Sequence, residues 1–363
     1  MNLNRMINMK RSDVIGLDIG SSAVKIIALK RDSKGYKVKA VSITEINRDP
    51  VSGSVQGDET RDTVQAILEC FAVTKLRAKS KIRTNLAVCG VSGPEVAVRD
   101  FSFPPLPAEE IESATMLEAE VVCPFNAGQA SVDYQLLSND DKRTKGIFVA
   151  ATNTVITNKT RYAKEAGLKC VLMDIDGLAL LNCFHGFTDA DGSSSNEQQD
   201  TNTAILNVGG SYTTLAIMNN DGWPFIRDTV YAGNDILKRI SVFSDIPVEE
   251  IKHVLFGDSS ETKFEYGDYL EKASEELISD VSETMRFYAA QEKAVPIRKI
   301  HVCGGFAGAK GFMELLNRRL GAEAILWNPF DNVRCNVSQG SRDILKKHGH
   351  LLAVAAGLAM RSI

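Results

Sequence analysis

The chain has 363 residues, 44% of them hydrophobic, which is enough for two domain-sized halves that each bury a core. Its 42 Lys and Arg residues against 46 Asp and Glu give a formal net charge of −4, so we do not expect nucleic acid or anionic lipid as a partner. The seven cysteines are scattered singly and the five histidines show no ligand spacing, so we expect reduced, buried thiols and no His or Cys metal site.

No segment of the sequence is long and apolar enough to anchor it in a membrane. The longest apolar run, Leu351 to Met360, is about half of the roughly 20 residues that a spanning helix needs. The N-terminus has basic residues but no apolar stretch of a secretory signal. We therefore expect a cytoplasmic protein that reaches a membrane only through protein partners, without inserting directly.

In chain order, apolar runs predict three strands across residues 13–46, a helix over 62–73 and a strand over 84–91. Residues 96–137 differ: a strand, a proline-rich turn, a helix opened by "PAEE" and a closing strand at "VDYQLL". We expect this segment to be an inserted subdomain, because "GIFVAATN" (146–153) then resumes the strand pattern of the main body.

The next predicted helix ends near Gly167, a strand follows through Met173, and a second helix starts at about Gly177. The hydrophilic run 188–202 is expected to be a surface loop between the halves. The second half predicts strands at 203–210, 213–220, 223–230 and 299–305, and helices at 234–244, 247–257, 269–292 and 310–321. Residues 323–329 and a helix over 351–362 close the chain.

Two segments of the sequence repeat one motif. "GLDIGSSAVKIIAL" aligns without a gap on "ILNVGGSYTTLAIM", so that Gly20 falls on Gly209, and Asp18 falls on Asn207. Each reads as an apolar strand, a Gly/Ser turn and a second strand. Small side chains at such a turn let an anion approach the backbone N–H groups, which predicts a phosphate site. The alternative is an ordinary hairpin.

The residues flanking the first turn suit a phosphate ligand. Asp18 can hold Mg²⁺ through its waters, and Lys25 on the outgoing strand can reach a β- or γ-phosphate. A third glycine cluster, "HVCGGFAGAKGF", supplies a strand-to-helix turn that can lie against an adenosine. With these three motifs, at 14–25, 203–215 and 301–308, the chain resembles the actin/Hsp70/sugar-kinase ATPase superfamily, which implies ATP and Mg²⁺ as cofactors.

Within that superfamily the chain resembles the PilM family of type IV pilus assembly proteins, itself similar to the FtsA family of cell division. The resemblance runs nearly end to end, through "GLDIGSSAVK", "EAEVVCPF" to "VDYQLL", "DIDGLAL", "IRDTVYAGNDI" and "AVAAGLAMR". FtsA-like chains continue to an amphipathic membrane-targeting tail. We therefore expect the PilM pattern, because the sequence stops at Ile363.

The resemblance assigns residues to the nucleotide. The first phosphate loop and the metal take Asp18, Gly20, Ser21, Ser22 and Lys25; the opposing loop takes Asn207, Gly209, Gly210 and Ser211; the adenosine takes Gly304, Gly305 and Lys252. The residue that positions the attacking water aligns with Asp176, with Asp174 as a near alternative. A helix N-cap is the other interpretation of both carboxylates.

Asn207 makes hydrolysis doubtful. An amide can still hold a phosphate oxygen or a metal-bound water, but it lacks the charge that attracts Mg²⁺ and cannot take a proton. A slow ATPase and a scaffold that keeps ATP unhydrolysed both stay open. A small-molecule kinase is a weaker third alternative, because the sequence offers no clear catalytic base with a substrate-domain insertion.

The predicted fold is α/β: a two-domain actin-like ATPase (ribonuclease H-like) fold with an FtsA/PilM-type inserted subdomain. Predicted boundaries are 1–200 for the first domain, 201–345 for the second with a helical subdomain at 236–299, and 346–363 for a helix that returns to the first domain. By resemblance, region 96–137 receives the N-terminal tail of the membrane-anchored protein PilN, with Glu118 and Phe125 as expected contacts.

The resemblance also implies the wider function. It is a cytoplasmic ATP-binding scaffold that docks the inner-membrane PilN–PilO complex to the cytoplasmic pilus machinery, including its motor ATPase. An FtsA-like cell-division or cytoskeletal ATPase is the alternative. Self-association is left open by the sequence.

Overall fold

The structure is a computed structural model that describes residues 14–33, 35–47, 56–77, 84–188, 202–219, 222–257, 266–291 and 295–361. The predicted loop between the halves lies outside the described residues, except for its two ends. None of the described helices has the length and apolarity that a bilayer-spanning helix requires.

The strands are β1 Ile15–Ile19, β2 Ala23–Asp32, β3 Gly35–Glu45, β4 Leu86–Val91, β5 Val96–Phe103, β6 Ala130–Asn139, β7 Thr144–Thr152, β8 Lys169–Ile175, β9 Thr203–Val208, β10 Thr213–Met218, β11 Pro224–Thr229, β12 Lys299–Cys303, β13 Glu323–Leu326 and β14 Arg334–Cys335. The helices are α1 Gln56–Arg77, α2 Ala108–Val122, α3 Asn153–Glu165, α4 Asp176–Thr188, α5 Gly233–Ser244, α6 Val248–Phe256, α7 Gly267–Ala289, α8 Phe312–Arg319, α9 Gln339–His348 and α10 Ala353–Ala359. Short 3₁₀ helices lie at Ala127–Gln129, Gly305–Gly308 and Gly349–Leu351.

The two main sheets share one plan. The first has the order β14-β3-β2-β1-β4-β8 and the second the order β11-β10-β9-β12-β13. In each, three consecutive strands form an antiparallel meander, and parallel strands extend the sheet from its first strand. Both predicted meanders are therefore confirmed, and the duplication in the sequence is a duplication in the fold.

The sequence did not predict α9 or β14. Strand β14 pairs in parallel with β3, and the Arg334 guanidinium also donates to both Asp32 carboxylate oxygens at the end of β2, at 3.1 and 2.5 Å. The chain thus re-enters the first sheet before residue 346, where the sequence predicts its return.

A third, three-stranded sheet has the order β5-β7-β6 and is covered on one face by α2. The prediction that "GIFVAATN" resumes the main body is wrong, because these residues form β7, the central strand of this small sheet. The cause is local: Phe148 and Ala150 face α2, while Ile147 and Ala151 are buried on the opposite face. A strand buried on both faces reads like a main-sheet strand. We refer to 96–152 with α2 as the small subdomain.

Helices α4 and α10 lie between the two main sheets. A Cβ on Gly16 of β1 would lie 1.9 Å from the Ala355 carbonyl oxygen of α10, and a Cβ on Gly357 would lie 1.8 Å from that of Ala179 in α4. Helix α4 contacts the second sheet, where a Cβ on Gly177 would meet Ile226 at 2.5 Å. One core cluster accordingly joins apolar side chains of both halves and sets the two hairpin turns relative to each other.

Candidate functional site

The turns of the two repeated hairpins have the same backbone geometry. In the first turn (residues 20–22) the Gly20 N–H donates to the Ala23 carbonyl at 3.0 Å, and in the second turn (residues 209–211) the Gly209 N–H donates to the Tyr212 carbonyl at 3.0 Å. Helix α5 supports the second turn, because the Gly233 and Asn234 N–H groups donate to the carbonyls of Gly209 and Gly210.

The two turns face each other at close range. A Cβ on Gly210 would lie 2.6 Å from Ser21 Oγ and 2.7 Å from Ser22 Oγ, so only glycine leaves the two serine hydroxyls their present positions. Ser21 and Ser211 are half-buried and Ser22 is exposed. The fold thus brings together two segments almost two hundred residues apart, with small side chains between them.

The first hairpin carries an ion pair beside its turn. Asp18 and Lys25 are directly opposite in the β1–β2 register, and Lys25 Nζ lies 2.9 Å from Asp18 Oδ2. Both side chains are largely buried, with 12% exposure for Asp18 and 14% for Lys25. A pair this sheltered is screened less than a surface pair.

The second hairpin has neutral residues at the matching positions. Asn207 is opposite Thr214 in the β9–β10 register, and Thr214 is opposite Asp228 in the β10–β11 register. Asp228 Oδ1 accepts from Thr214 Oγ1 at 2.5 Å, and its Oδ2 accepts from the Gly93 N–H at 2.7 Å. Burial raises the pKa of Asp228, although these two hydrogen bonds act to lower it. The carboxylate that lies level with Asn207 in the second sheet is therefore Asp228, two strands away, and its hydrogen bond to Gly93 connects it to the first half.

Asp176, the predicted water-positioning residue, is the first residue of α4. Its Oδ2 accepts from Ser92 Oγ at 2.7 Å, whereas its buried Oδ1 has no hydrogen-bond partner among the described residues. A Cβ on Gly90 would lie 2.1 Å from that Oδ1, so β4 needs glycine there. Burial, and next the charge of Asp18, raise the pKa of Asp176 to about 7, against the opposing effects of Ser92 and Lys159.

Asp174, the near alternative, has a different environment. Arg361 Nε donates to its Oδ2 at 2.6 Å and the second guanidinium nitrogen donates to Oδ1 at 2.8 Å, while Asp174 itself is 4% exposed. Its Oδ1 also accepts from the Ile175 N–H. The contacts described for Asp174 and Asp176 do not include the N-cap bond from the first turn of α4. Asp174 thus ties Arg361 to the first sheet, whereas Asp176 has one carboxylate oxygen without a partner among the described residues.

A second lysine stands beside the first turn. Lys159 of α3 donates from Nζ to the Ile19 carbonyl, at the last residue of β1. Burial lowers the pKa of the Lys159 ammonium, although the charges of Asp176 and Asp18 act to raise it. Sequence reasoning missed Lys159, Ser92 and Asp228 as site residues, because no local spacing assigns them a role and only the fold brings them near Asp18 and Asp176.

The third glycine motif lies against the second hairpin. Gly304 has φ of +94°, and a Cβ there would lie 2.5 Å from both Asn207 Oδ1 and the Val208 carbonyl oxygen. Gly305 is exposed and would give a Cβ open space. Asn207 also accepts a weak contact from Cys303 Sγ at 3.8 Å. The predicted adenosine glycines and the second phosphate turn therefore form one continuous surface.

Lys252 is not joined to these residues by any contact that the structure describes. Its Nζ pairs with Glu249 Oε1 at 2.9 Å on the exposed face of α6. Helix α6 itself does reach the 305–308 turn, where the Phe256 and Phe306 rings lie 5.9 Å apart. A role for Lys252 at a nucleoside stays a prediction.

The residues present fit a nucleotide better than a free metal ion. The turns bring glycine and serine residues together, and the buried Oδ1 of Asp176, which faces Gly90 of β4, has no hydrogen-bond partner among the described residues. In the part of the chain that is described, no group of three or more His, Cys, Asp or Glu residues is placed to hold a metal ion. Mg²⁺ commonly takes one or two carboxylates together with phosphate oxygens. Asp18 therefore suits a Mg²⁺ that arrives with a phosphate ligand.

Two duplicated sheets with their turns face to face define a protein of the actin-like ATPase fold. A family model described as "Type IV pilus assembly protein PilM" matches residues 16–363. The chain therefore belongs to the PilM family of type IV pilus assembly proteins.

Individual relatives are distant. In the solved structure of a PilM-PilN type IV pilus biogenesis complex, the matching chain is 22% identical, with 97% of this chain and 98% of that one covered and a TM-score of 0.76. Ethanolamine utilization protein EutJ from Carboxydothermus hydrogenoformans is 14% identical over 99% and 93% of the chains, with a TM-score of 0.52. The cell division protein FtsA of Bacillus subtilis (strain 168) is 21% identical over 320 residues, which are 75% of this chain and 69% of FtsA.

Proposed function

We propose that this chain is an ATP-binding scaffold of type IV pilus assembly, whose nucleotide lies between the two facing turns. The observation that carries the proposal is the approach of Gly210 to Ser21 and Ser22, because it brings together two glycine- and serine-rich turns whose backbone N–H groups can bind phosphate oxygens. Family membership supports the pilus role.

The chain's own residues would act on the nucleotide as follows. The first turn donates backbone N–H groups to phosphate oxygens, and Lys25 contributes a positive charge. The second turn, held by α5, closes on the opposite side. Asp18 receives a Mg²⁺ that arrives with the nucleotide, and that metal would neutralise phosphate charge. Asp176, held by Ser92, orients a water molecule, while Asn207 contributes hydrogen bonds without charge. Any hydrolysis would accordingly be slow.

Titration calorimetry with Mg·ATP tests the nucleotide site. Asp18→Ala should weaken binding about 100-fold or more, because it removes the carboxylate that would hold the metal. The matched control is Asp141→Ala, which removes an exposed carboxylate from a loop of the small subdomain. Unchanged affinity in Asp18→Ala, or no heat with the wild-type protein, would overturn this site.

The small subdomain offers the surface for a partner peptide. Leu117 and Val121 of α2 are 64% and 81% exposed, and Leu136 and Leu137 of β6 are also exposed. Strand β6 is an outer strand of the β5-β7-β6 sheet. Exposed apolar side chains beside a sheet edge suit an extended peptide that adds a strand. We propose the N-terminal tail of PilN as that peptide. Its binding would attach this scaffold to the PilN–PilO inner-membrane complex. The scaffold would then link that complex to the pilus motor ATPase.

A fluorescent peptide that copies the PilN N-terminus tests the partner. Leu117→Asp with Val121→Asp should weaken it about tenfold or more, whereas ATP affinity should be unchanged. Of the residues expected from the sequence, Phe125 packs into the small subdomain's core and Glu118 is half-buried, so Phe125→Ala would confound binding with stability. Glu118→Gln is the cleaner of the two. Equal binding by wild type and the double variant would contradict the assignment.

The FtsA similarity supports one alternative, an FtsA-like cell-division or cytoskeletal ATPase. The same binding experiment separates the two, with a peptide that copies the C-terminal tail of FtsZ as the competitor. Binding of the FtsZ peptide in place of the PilN peptide would favour the alternative.

A further inference from the structure

Lys159 is a lysine whose charge the fold places at the site without a carboxylate partner. Its Nζ donates to the Ile19 carbonyl, and in the described ranges no carboxylate oxygen lies within ion-pair distance of it. An ammonium has three N–H donors. Two of them are thus left for a ligand.

Its position is beside the first turn, within electrostatic reach of two carboxylates. Ile19 directly precedes the turn, and the charges of Asp176 and Asp18 are the strongest favourable influences on the ammonium. Lys25 already pairs with Asp18 from the opposite strand. The two lysines therefore approach the first turn from different elements, Lys25 from β2 and Lys159 from α3 near Asp176.

A buried ammonium is costly unless something offsets it. A single backbone carbonyl is a modest partner, since one neutral acceptor replaces only part of the hydration that a buried ammonium loses. A methionine or leucine would fill the same space on α3 at lower cost. A negatively charged ligand would offset the desolvation cost of the Lys159 ammonium.

We propose that Lys159 binds the terminal phosphate of the nucleotide and so lets the site distinguish a triphosphate from a diphosphate. This inference rests on the proposed ATP-binding function. The phosphate chain lies along the first turn with Lys25 at its inner phosphates. Its far end meets Lys159 beside Asp176, the residue with an oxygen left for water.

The test compares affinities for the non-hydrolysable ATP analogue AMP-PNP and for ADP, both with Mg²⁺, measured by calorimetry on the full chain. Lys159→Met should lower AMP-PNP affinity about tenfold or more and ADP affinity less than about threefold, since only the terminal phosphate loses its ammonium. Lys164→Met is the matched control, because Lys164 is an exposed lysine on the same helix. An unchanged ratio of the two affinities in Lys159→Met overturns the inference.

A second measurement needs no variant. Lys159 is half-buried, so N-hydroxysuccinimidyl acetate should acetylate it slowly in the nucleotide-free protein, as followed by mass spectrometry, and AMP-PNP should slow this acetylation more than ADP does. Equal protection by both nucleotides also overturns the inference, even where Lys159→Met fails to fold. If the wild-type protein binds neither nucleotide, the proposed ATP site itself fails, which is a different result from binding without discrimination.

Discussion

The first and second hairpins share the same backbone geometry but differ in the charge of their side chains. At matching register positions the first has the ion pair of Asp18 with Lys25, and the second has Asn207 with Thr214. The carboxylate nearest to these positions in the second sheet is Asp228, whose oxygens accept hydrogen bonds from the Thr214 hydroxyl and the Gly93 N–H. Duplication thus preserved the turn geometry, while of the two hairpins the first carries the buried ion pair.

The difference assigns separate tasks to the two halves. The first half supplies charge, and the second supplies shape and neutral hydrogen bonds. Asp228 serves the contact between the halves, because Gly93 lies at the joint that leads into the small subdomain. Tyr212 of the second hairpin packs on the same joint, where a Cβ on Gly93 would lie 2.8 Å from its ring. A change in the second half should therefore alter geometry more than charge.

The largest effect should come from Gly304→Ala, which breaks the shape of the second half. The positive φ costs an alanine about 1–2 kcal/mol, and a Cβ 2.5 Å from Asn207 and from the Val208 backbone adds about 1–3 kcal/mol of overpacking. Urea unfolding should show a loss of about 3 kcal/mol. Gly305→Ala is the control, because its Cβ meets open space, and it should change stability by less than about 0.5 kcal/mol. Equal losses would show that the strain at Gly304 is not the cause.

Asp176→Asn should remove the free-energy cost of ionising a buried carboxylate in the first half. Its raised pKa means that the folded state holds a proton that the unfolded state, with a pKa near 3.8, gives up. Folding stability therefore falls as the pH rises from about 4 through about 7. The amide of Asp176→Asn does not titrate, so this loss is absent from the variant. At pH 8 its free energy of unfolding should therefore exceed that of wild type by about 2 kcal/mol. Unfolding curves at pH 8 and pH 5 should show the gain shrinking at the lower pH.

Asp174→Asn is the matched control for that result. It also replaces a buried carboxylate near α4, but it removes the charge that pairs with Arg361 and one of the two acceptors of its hydrogen bonds. We expect a loss of about 3 kcal/mol at pH 8. Were both variants stabilised, the contrast between the paired and the unpaired carboxylate would be wrong.

Local patterns predicted most of the hairpins and helices but not their long-range partners. The repeat around Gly20 and Gly209 fixed both meanders, because turn residues and apolar strands are local signals. Strand β7 was assigned to the wrong sheet, since its apolar pattern suits either sheet. Helix α9 was missed because "QGSRDILKKH" is mostly polar with one short apolar stripe.

The site divides in the same way. The turn residues follow from the repeat, whereas the choice between Asp176 and Asp174 depends on Arg361, which the fold brings from the end of the chain. Lys159 lies in a helix sequence that no motif marks, and the motif that contains Asp228 does not assign it a role. Their charges reach the site through tertiary packing alone, which no local spacing encodes.

Gly210→Val should separate the two turns without changing charge. The Cβ would already lie 2.6 Å from Ser21 Oγ, and the added methyl groups fill the remaining gap. The serine side chains can rotate, so we expect a stability loss below about 1 kcal/mol but about a tenfold loss of ATP affinity, or about 1.4 kcal/mol. Calorimetry measures the affinity. If Ser21→Ala with Ser22→Ala restores the affinity of Gly210→Val, the steric cause is supported; no restoration would point to another cause.

The smallest effect on stability should come from Asn207→Asp, which makes the second hairpin resemble the first. Asn207 is half-buried and its Oδ1 has only the weak contact from Cys303, so the free energy of unfolding should change by less than about 1 kcal/mol. The chemistry should change more, because a second carboxylate faces the phosphate site and can hold a metal-bound water. We expect single-turnover assays with excess protein and labelled Mg·ATP to show faster cleavage in Asn207→Asp than in wild type.

Gln129→Glu adds the same charge at an exposed position of the small subdomain and should leave the rate unchanged. Should wild type cleave ATP as fast as Asn207→Asp, one carboxylate beside the phosphates suffices, and the asymmetry between the hairpins would concern how the halves fit together rather than catalysis.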